Sequence, residues 1–280
     1  MSTLDASAAL AFEKMHGLGN DFVVIDARER ADPMTPALAR AIGDRRRGVG
    51  FDQLVVIFED AEADARLVFW NADGGTAGAC GNATRCIAAR LMKAAGRERL
   101  RLRTERGVLA CEALSDGRVR VDMGAPLLDW RDIPLSREAD TAHLPLPGDP
   151  AACSMGNPHC TFFVESAEAA PLTTRGPAVE RDSLFPERTN VQFVEIVARD
   201  RARVKVWERG VGVTLASGSS SCAVLVNAVR RGLMDRSAVL TLDGGEIEVA
   251  WPEGAGVLMT GPVANVFEGR LSAEFLEAAR

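Results

Sequence analysis

Residues 79–86 have the sequence ACGNATRC, and 137 positions later residues 216–223 have the sequence ASGSSSCA. Both stretches begin with alanine, then a residue with a thiol or hydroxyl group, then glycine, and a helical pattern follows. Further residues coincide at the same offset: Gly19-Asn20 with Gly156-Asn157, Gln53 with Asn190, Trp70 with Trp207, and residues 104–107 with residues 241–244. The matched positions are polar or glycine, so they indicate an internal duplication with half of a site in each copy.

Short strand-like runs and few helices recur in both halves of the chain. The predicted helices are Thr35–Arg46, Gly81–Ala95 and Gly218–Arg231, and Gly96 and Gly232 follow the last two as helix-ending residues. The predicted strands are Phe22–Asp26, Gln53–Phe58, Leu67–Trp70, Leu100–Thr104, Val108–Ala113, Arg118–Met123, Cys160–Val164, Val191–Val197 and Ala202–Trp207. We therefore predict an α+β fold of two lobes, each with many short strands and one principal buried helix.

The predicted N-terminal lobe covers residues 12–130 and the C-terminal lobe residues 131–262. A proline-containing stretch at 127–150 is expected to connect the lobes, and residues 263–280 are expected to join the first. The first eleven residues lack the basic and apolar regions of a signal peptide and are expected to form a short extension.

Composition excludes several classes of function. A formal net charge of −6 argues against nucleic acid or an anionic membrane surface as the main partner. No run of 18 apolar residues occurs, so no transmembrane helix is expected. Six scattered cysteines indicate reduced thiols and a cytoplasmic protein. Their spacings, with only three histidines, predict no metal site. The absence of nucleotide-binding loops and of a convincing Schiff-base lysine predicts that no cofactor is used.

Cys80 and Ser217 are the first candidates for catalysis, because each is expected at a helix N-terminus. There, free N–H groups and the helix dipole lower the pKa of a thiol and favour a bound anion. An isolated cysteine at such a place is more often structural, but the matching phrase around Ser217 reverses that inference. Two groups on opposite faces of a substrate carbon suit inversion of a stereocentre next to a carboxylate. A thiolate is an effective base, whereas an unassisted serine hydroxyl is a poor one.

The remaining candidates suit recognition of a small-molecule ligand. Backbone donors of Gly81-Asn82 and Gly218-Ser219 are expected to bind one carboxylate. Arg209, beside Glu208, suits a second carboxylate, although a surface ion pair is an equal alternative. His159 is expected to have an acid–base or orienting role, or else to be a core histidine. The amides expected to contact substrate are Asn20, Gln53, Asn71, Asn157 and Asn190.

Seven short sequence motifs of this chain together resemble those of the diaminopimelate epimerases. The motifs are residues 14–22 (KMHGLGNDF), 50–53 (GFDQ), 71–74 (NADG), 80–86 (CGNATRC), 155–159 (MGNPH), 185–188 (FPER) and 207–210 (WERG). The resemblance covers about residues 12–262. It implies two pseudo-symmetric lobes, each a strand barrel around a central helix, and usually a homodimer. It also implies pyridoxal-independent conversion of LL- to meso-diaminopimelate, a step towards lysine and peptidoglycan precursors.

The resemblance also assigns residue roles. It implies Cys80 as one base, His159 and Glu208 as supporting polar residues, and the amides with Glu208 and Arg209 as substrate ligands. This chain has Ser217 where the family has its second cysteine, and Val213 where the family often has glutamate. Cys222 lies too far into the helix to replace the missing thiol. Two alternatives stay open: a related racemase or dehydratase acting on another amino acid, such as histidine or a hydroxyproline, and a non-catalytic amino-acid-binding homologue.

Overall fold

The computed structural model of the protein describes residues 9–78 and 80–279, which separate into two units. One unit comprises the described residues up to Val119 together with those from Val263 onward, and the other comprises Arg120–Pro262. The sequence places the boundary near residue 130, but residues 120–130 belong to the second unit. Backbone pairing explains the difference, because Leu127 exchanges amide–carbonyl hydrogen bonds with Ser154, within that unit.

In the first unit a sheet surrounds one long helix. Its strands are β1 (Leu10–Gly17), β2 (Asn20–Asp26), β3 (Gln53–Phe58), β4 (Ala65–Asn71), β5 (Thr76–Ala77), β6 (Arg99–Thr104), β7 (Gly107–Ala113) and β17 (Ala264–Leu271). Its helices are α1 (Pro36–Gly43), α2 (Gly81–Ala95) and α5 (Ala273–Ala278). The strands pair in the order β17–β1–β2–β3–β4–β6–β7, and the β2–β3 and β4–β6 pairs are parallel. The short β5 pairs with β4.

The central helix of this unit is α2, which packs against β1, β2, β6 and β7. Residues 81–88 are all buried, as expected for a helix that is covered by a sheet on every side. The helix begins after Cys80 and ends at Gly96, whose φ of +62° lies in the left-handed region that favours glycine. Both ends were predicted from the sequence at these residues.

The second unit has the same design. Its strands are β8 (Val119–Asp122, which begins at the last residue of the first unit's main segment), β9 (Ala151–Ser154), β10 (Pro158–Phe163), β11 (Asn190–Ala198), β12 (Arg201–Glu208), β13 (Gly212–Thr214), β14 (Ser237–Leu242), β15 (Gly245–Ala250) and β16 (Leu258–Gly261). Its helices are α3 (Leu172–Glu180) and α4 (Gly218–Arg230). The strands pair in the order β9–β10–β11–β12–β14–β15–β16, and β10–β11 and β12–β14 are parallel. The buried central helix α4 packs against β9, β10 and β11 and against β14, β15 and β16.

The two units confirm the α+β fold with a duplicated lobe. In each, a helix (α1 or α3) connects two parallel neighbouring strands, as such strands require a crossover. In those parallel pairs Phe22 lies beside Gln53 and His159 lies beside Asn190, which reproduces the offset of 137. The residues that the sequence matched at the two helix starts and at these strands are therefore structurally equivalent.

The offset changes after the central helices. In the β6–β7 hairpin Thr104 pairs with Gly107, whereas in the β14–β15 hairpin Leu242 pairs with Gly245. The predicted match of residues 104–107 with residues 241–244 is therefore wrong by one position. Gly96 and Gly232 are 136 positions apart, and the connection from Gly232 to β14 is two residues longer than the one from Gly96 to β6, so the hairpins are 138 positions apart.

Some predicted elements differ from the structure. The expected N-terminal extension is wrong for its last residues, since β1 begins at Leu10 and pairs with β2 and β17; residues 1–8 lie outside the described part. The helix predicted to reach Arg46 ends at Gly43, because the Asp44 carboxylate accepts hydrogen bonds from the next amides and forms a turn. The expected connector at 127–150 contributes buried residues, including Ile133, to the core of the second unit.

Membrane-spanning helices and metal-binding clusters are both absent from residues 9–78 and 80–279. No helix there is long and apolar enough to cross a membrane. In the same residues, no group of three or more His, Cys, Asp and Glu side chains is arranged to hold a metal ion.

Candidate active site

Cys80 caps the N-terminus of α2 with its own side chain. Its backbone is extended (φ −146°, ψ 110°), and its sulfur accepts a hydrogen bond from the Ala83 amide at 3.5 Å. The Cys80 carbonyl accepts hydrogen bonds from the amide and hydroxyl of Thr84, at 2.9 and 2.8 Å. Cys80 is partly exposed, whereas the five other cysteines are buried. This position gives Cys80 both access to solvent and donors that stabilise negative charge.

Ser217 occupies the matching position before α4. Its backbone is nearly the same (φ −139°, ψ 118°), and its carbonyl accepts hydrogen bonds from the amide and hydroxyl of Ser221, at 3.0 and 2.9 Å. Its side chain is 5% exposed and makes no capping hydrogen bond to the helix. Cys222, the nearest cysteine in the sequence, is buried within α4. The two helix starts therefore share a backbone and differ in the group that they present.

The first turn of each central helix follows its cap. Gly81 and Asn82 begin α2, and Gly218 and Ser219 begin α4. The first amides of an α-helix have no acceptor within the helix and carry part of the positive end of its dipole. Each helix start is thus suited to bind an anionic group such as a carboxylate.

Asn20 is held in one orientation beside Cys80. The Asp52 carboxylate, which can only accept, receives a hydrogen bond from the Asn20 amide nitrogen at 2.9 Å. The Asn20 side-chain oxygen therefore faces the opposite way, where it accepts from Asn82 at 3.1 Å and lies 4.0 Å from the sulfur of Cys80. The Asn82 oxygen in turn accepts from the buried Arg85 guanidinium at 2.8 Å. A carboxylate at one end and a guanidinium at the other fix the direction of both amides.

An ion-pair cluster supports Asp52. The carboxylate of Asp21 accepts from the Asp52 amide at 3.0 Å and forms ion pairs with Lys14 and Arg45. Burial alone would raise the pKa of Asp21, but the hydrogen bonds from Arg45 and Lys14 outweigh it and lower that pKa to about 2. Asp21 thus stays charged and helps to hold the β2–β3 end that carries Asn20.

Gln53 and Asn71 lie opposite one another on β3 and β4. The Gln53 side-chain nitrogen donates to the Asn71 side-chain oxygen at 3.2 Å, which leaves the Asn71 nitrogen available to donate elsewhere. The structure therefore brings Cys80, Asn20 and Asn82 into one connected group and pairs Gln53 with Asn71.

A buried polar network runs through the second unit from α4 to His159. Arg230 donates to the Asn227 side-chain oxygen at 3.3 Å, and because a guanidinium can only donate, the Asn227 nitrogen faces away from it. That nitrogen donates to the Thr161 hydroxyl oxygen at 3.0 Å. The Thr161 hydroxyl then donates to the Gln192 side-chain oxygen at 3.0 Å. Arg230 thus sets the direction of every bond up to Gln192.

Gln192 in turn fixes the tautomer of His159. Its nitrogen donates to His159 Nδ1 and to the Ser220 hydroxyl, each at 3.1 Å. Nδ1 therefore carries no proton, and the neutral imidazole donates through Nε2 to the Asn157 side-chain oxygen at 2.9 Å. His159 is fully buried. In this arrangement His159 orients Asn157, whose nitrogen remains available to donate.

The remaining predicted residues meet at the end of β12. Asn190 donates to the Pro158 carbonyl at 2.9 Å, and its side-chain oxygen accepts from the Arg209 amide at 3.0 Å. The exposed Arg209 guanidinium donates to the Glu187 carbonyl at 3.0 Å, and Glu208 precedes it as the last residue of β12. The charged Glu208 and Arg209 thus occupy the positions that Asn71 and Ala72 have in the first copy.

Comparison with known proteins identifies the family. A family model described as diaminopimelate epimerase matches residues 12–128 and 151–266. The chain belongs to the diaminopimelate epimerase family. It is 53% identical over 274 residues to the diaminopimelate epimerase of Acidiphilium cryptum (strain JF-5), covering 96% of this chain and 99% of that protein. It is 51% identical over 263 residues to that of Gluconobacter oxydans (strain 621H), covering 93% of this chain and 98% of that protein.

Solved structures show the diaminopimelate epimerase fold shared more widely. A hydroxyproline epimerase from Agrobacterium vitis with bound trans-4-hydroxy-L-proline has a TM-score of 0.68 at 15% identity, covering 95% of this chain and 93% of that one. A phenazine biosynthesis protein of the PhzF family from Bacillus anthracis has the same TM-score at 14% identity, covering 94% and 99%. These distant similarities concern the fold.

Several supporting residues of this diaminopimelate epimerase family member were missed by sequence reasoning. Asp52, Arg85 and Gln192 each fix the orientation of a predicted residue, but none was assigned a role. Gln192 had a visible signal, since it lies two residues after Asn190 and so shares its face of the strand. Arg85 had none, because a charged residue within a central helix is usually expected at the surface.

Proposed function

We propose that this chain is an isomerase that converts LL-diaminopimelate to meso-diaminopimelate without a cofactor. The observation that carries the proposal is the pair of equivalent helix N-caps, one with the Cys80 thiol and one with the Ser217 hydroxyl. Membership of the diaminopimelate epimerase family supports it. The six scattered cysteines agree with a cytoplasmic setting, and assembly as a homodimer rests on the family resemblance alone.

In the proposed reaction the α-carbon of the substrate loses and regains its proton. The Cys80 thiolate takes the α-proton, and the electron pair of the broken C–H bond passes into the adjacent carboxylate. First-turn amides of Gly81, Asn82, Gly218 and Ser219 stabilise the charge that develops on the carboxylate oxygens. A proton then returns to the opposite face of the carbon, at the half-site of Ser217, and the configuration inverts.

Because of Ser217, the two faces of the α-carbon are served by bases of unequal strength. A thiol exchanges its proton readily near neutral pH, whereas a serine hydroxyl is a weak acid and a weak base unless another group activates it. Cys80 therefore serves one face as a competent base, and the face at Ser217 depends on the hydroxyl or on water that it orients. The proposal is an epimerase with one strong and one weak base.

The proposed substrate ligands match a molecule with two amino-acid ends. Arg209 suits a carboxylate and Glu208 an ammonium group, while the first copy offers the neutral Asn71 and Ala72 at the same positions. The oriented amides of Asn20 and Gln53 in the first unit complement those of Asn157 and Asn190 in the second. Such a division suits a substrate that is longer on one side of its reacting carbon.

A chromatographic assay tests the proposal. Purified protein is incubated with LL-diaminopimelate and the isomers are separated, with Cys80→Ala as the inactive variant and Cys111→Ala, a buried thiol in β7, as the matched control. We expect meso-diaminopimelate with the natural chain and with Cys111→Ala, and none with Cys80→Ala. Turnover of histidine or hydroxyproline instead of diaminopimelate, or activity that survives Cys80→Ala, would show the proposal to be wrong.

A further inference from the structure

Glu180 is a buried acid at an unusual place. It is the last residue of α3 and is 2% exposed, although the end of a helix carries partial negative charge and disfavours a carboxylate. One of its oxygens accepts a hydrogen bond from the Trp207 indole nitrogen at 2.7 Å, and the other accepts from the Gly210 amide at 3.0 Å. Arg188 lies 3.7 Å away as an ion-pair partner. Burying a carboxylate is costly unless it is satisfied in this way.

These bonds hold the segment 207–211, which we call the Arg209 turn. The turn closes with a hydrogen bond from the Val211 amide to the Glu208 carbonyl at 3.1 Å, and Gly210 adopts φ +76°. Glu180 binds the turn on both sides of Glu208 and Arg209, while Asn190 accepts from the Arg209 amide between them. The Arg209 turn is therefore held by its Trp207 side chain and by the backbone amides of Arg209 and Gly210.

The first copy of the duplication lacks this arrangement. Its equivalent of Glu180 is Gly43, the last residue of α1, and a side chain there would lie 3.1 Å from the Cβ of Ala72, the equivalent of Arg209. The indole nitrogen of Trp70, the equivalent of Trp207, is buried without a hydrogen-bond partner in residues 9–78 and 80–279. The buried acid thus occurs in the copy that carries the charged pair.

We propose that Glu180 is a positioning residue, which holds Arg209 and Glu208 in the orientation that binds the substrate. The inference rests on the proposed function, in which these two residues bind one end of diaminopimelate. A turn that is already ordered loses less entropy when it binds, so Glu180 contributes to affinity without contacting the substrate.

The test is a pair of variants measured by calorimetry with LL-diaminopimelate. In Glu180→Gln only one amide oxygen accepts, and the new NH2 group faces one of the two N–H donors. We expect binding to weaken about tenfold, because a buried donor is left unsatisfied. In Glu180→Gln combined with Trp207→Phe the indole donor is gone, so the Gln oxygen can accept from Gly210. We expect that double variant to bind within about threefold of the natural chain.

Controls separate this inference from the proposed function. Glu253→Gln, at an 86% exposed glutamate, should bind as the natural chain does. If the natural chain neither binds nor converts diaminopimelate, the proposed function fails. If the natural chain binds and Glu180→Gln binds equally well, or if the double variant binds no better than Glu180→Gln, the positioning role is refuted. Should Glu180→Gln alone not fold, Glu180→Gln with Trp207→Phe is compared with Glu180→Ala with Trp207→Phe, which has no acceptor for the Gly210 amide; we expect the alanine variant to bind more weakly, and equal binding by the two refutes the role.

Discussion

Replacing Gln192 with leucine should be among the most destabilising single changes in the second unit. Gln192 is fully buried and makes hydrogen bonds with Thr161, His159 and Ser220. Leucine has a similar volume but leaves all three partners without their bond to residue 192. An unsatisfied buried group costs about 1–3 kcal/mol, so the three together should cost at least about 3 kcal/mol of unfolding free energy.

Urea unfolding at pH 7 measures this change, and the duplication provides the control. In the first copy the residues equivalent to His159, Thr161, Gln192 and Ser220 are Phe22, Val24, Val55 and Ala83, so an apolar version of the same arrangement already exists. We expect the double variant Gln192→Leu, Ser220→Ala to be more stable than Gln192→Leu alone, because it takes the side chain of Ala83 at position 220 and leaves the Asn227–Thr161 and His159–Asn157 bonds in place. Removing both partners of a buried bond costs less than removing one.

Two results would refute this reasoning. A Gln192→Leu protein within about 1 kcal/mol of the natural chain would mean that the network is satisfied by other groups, such as water. A double variant less stable than the single variant would mean that apolar packing, rather than unsatisfied polar atoms, sets the cost.

Three further predictions follow from other parts of the structure. Asp21→Asn should lower the unfolding free energy by about 2 kcal/mol at pH 7, because the pKa of Asp21 is lowered from 3.8 to about 2 in the folded protein. In urea unfolding from pH 7 to pH 2, the difference between the two proteins should shrink below about pH 4 and nearly vanish near pH 2, and a pH-independent difference would contradict the prediction. A thiol reagent should modify Cys80 much faster than the buried cysteines, since burial raises the pKa of Cys86, Cys111 and Cys153 to about 12. Mass spectrometry measures the order of modification, and modification of Cys86 before Cys80 would count against this prediction. Gly176→Ala should lower the unfolding free energy by about 1–3 kcal/mol, because its Cβ would lie 2.7 Å from Cγ of Trp207; an unchanged thermal midpoint would be inconsistent with that packing.

The central helices and their caps were predictable because their signals are local. A small residue, a polar cap and glycine precede each helix, and Gly96 and Gly232 follow, so both N-termini fall where the sequence placed them. α3 was not predicted, because it has no side-chain N-cap and contains Pro177. Its place in the fold comes from packing on β11, β12 and β13.

The candidate site was predictable where the two copies agree and not where they differ. Asn20 and Asn157 stood out because they coincide at one offset, whereas Gln192 and Glu180 have the apolar or glycine equivalents Val55 and Gly43. Long-range bonds such as Arg230 to Asn227 and Asn20 to Asp52 decide which way an amide points. No local pattern carries that information.

The most direct test of two unequal bases is the exchange of the α-proton in D2O. Deuterium incorporation into LL- and meso-diaminopimelate is followed by NMR beside the rate of epimerisation, in the natural chain and in Ser217→Cys. We predict that the natural chain exchanges the proton of one isomer faster than it epimerises, and that Ser217→Cys raises the epimerisation rate. No exchange from either isomer, with Ser217→Cys still inactive, would contradict the account.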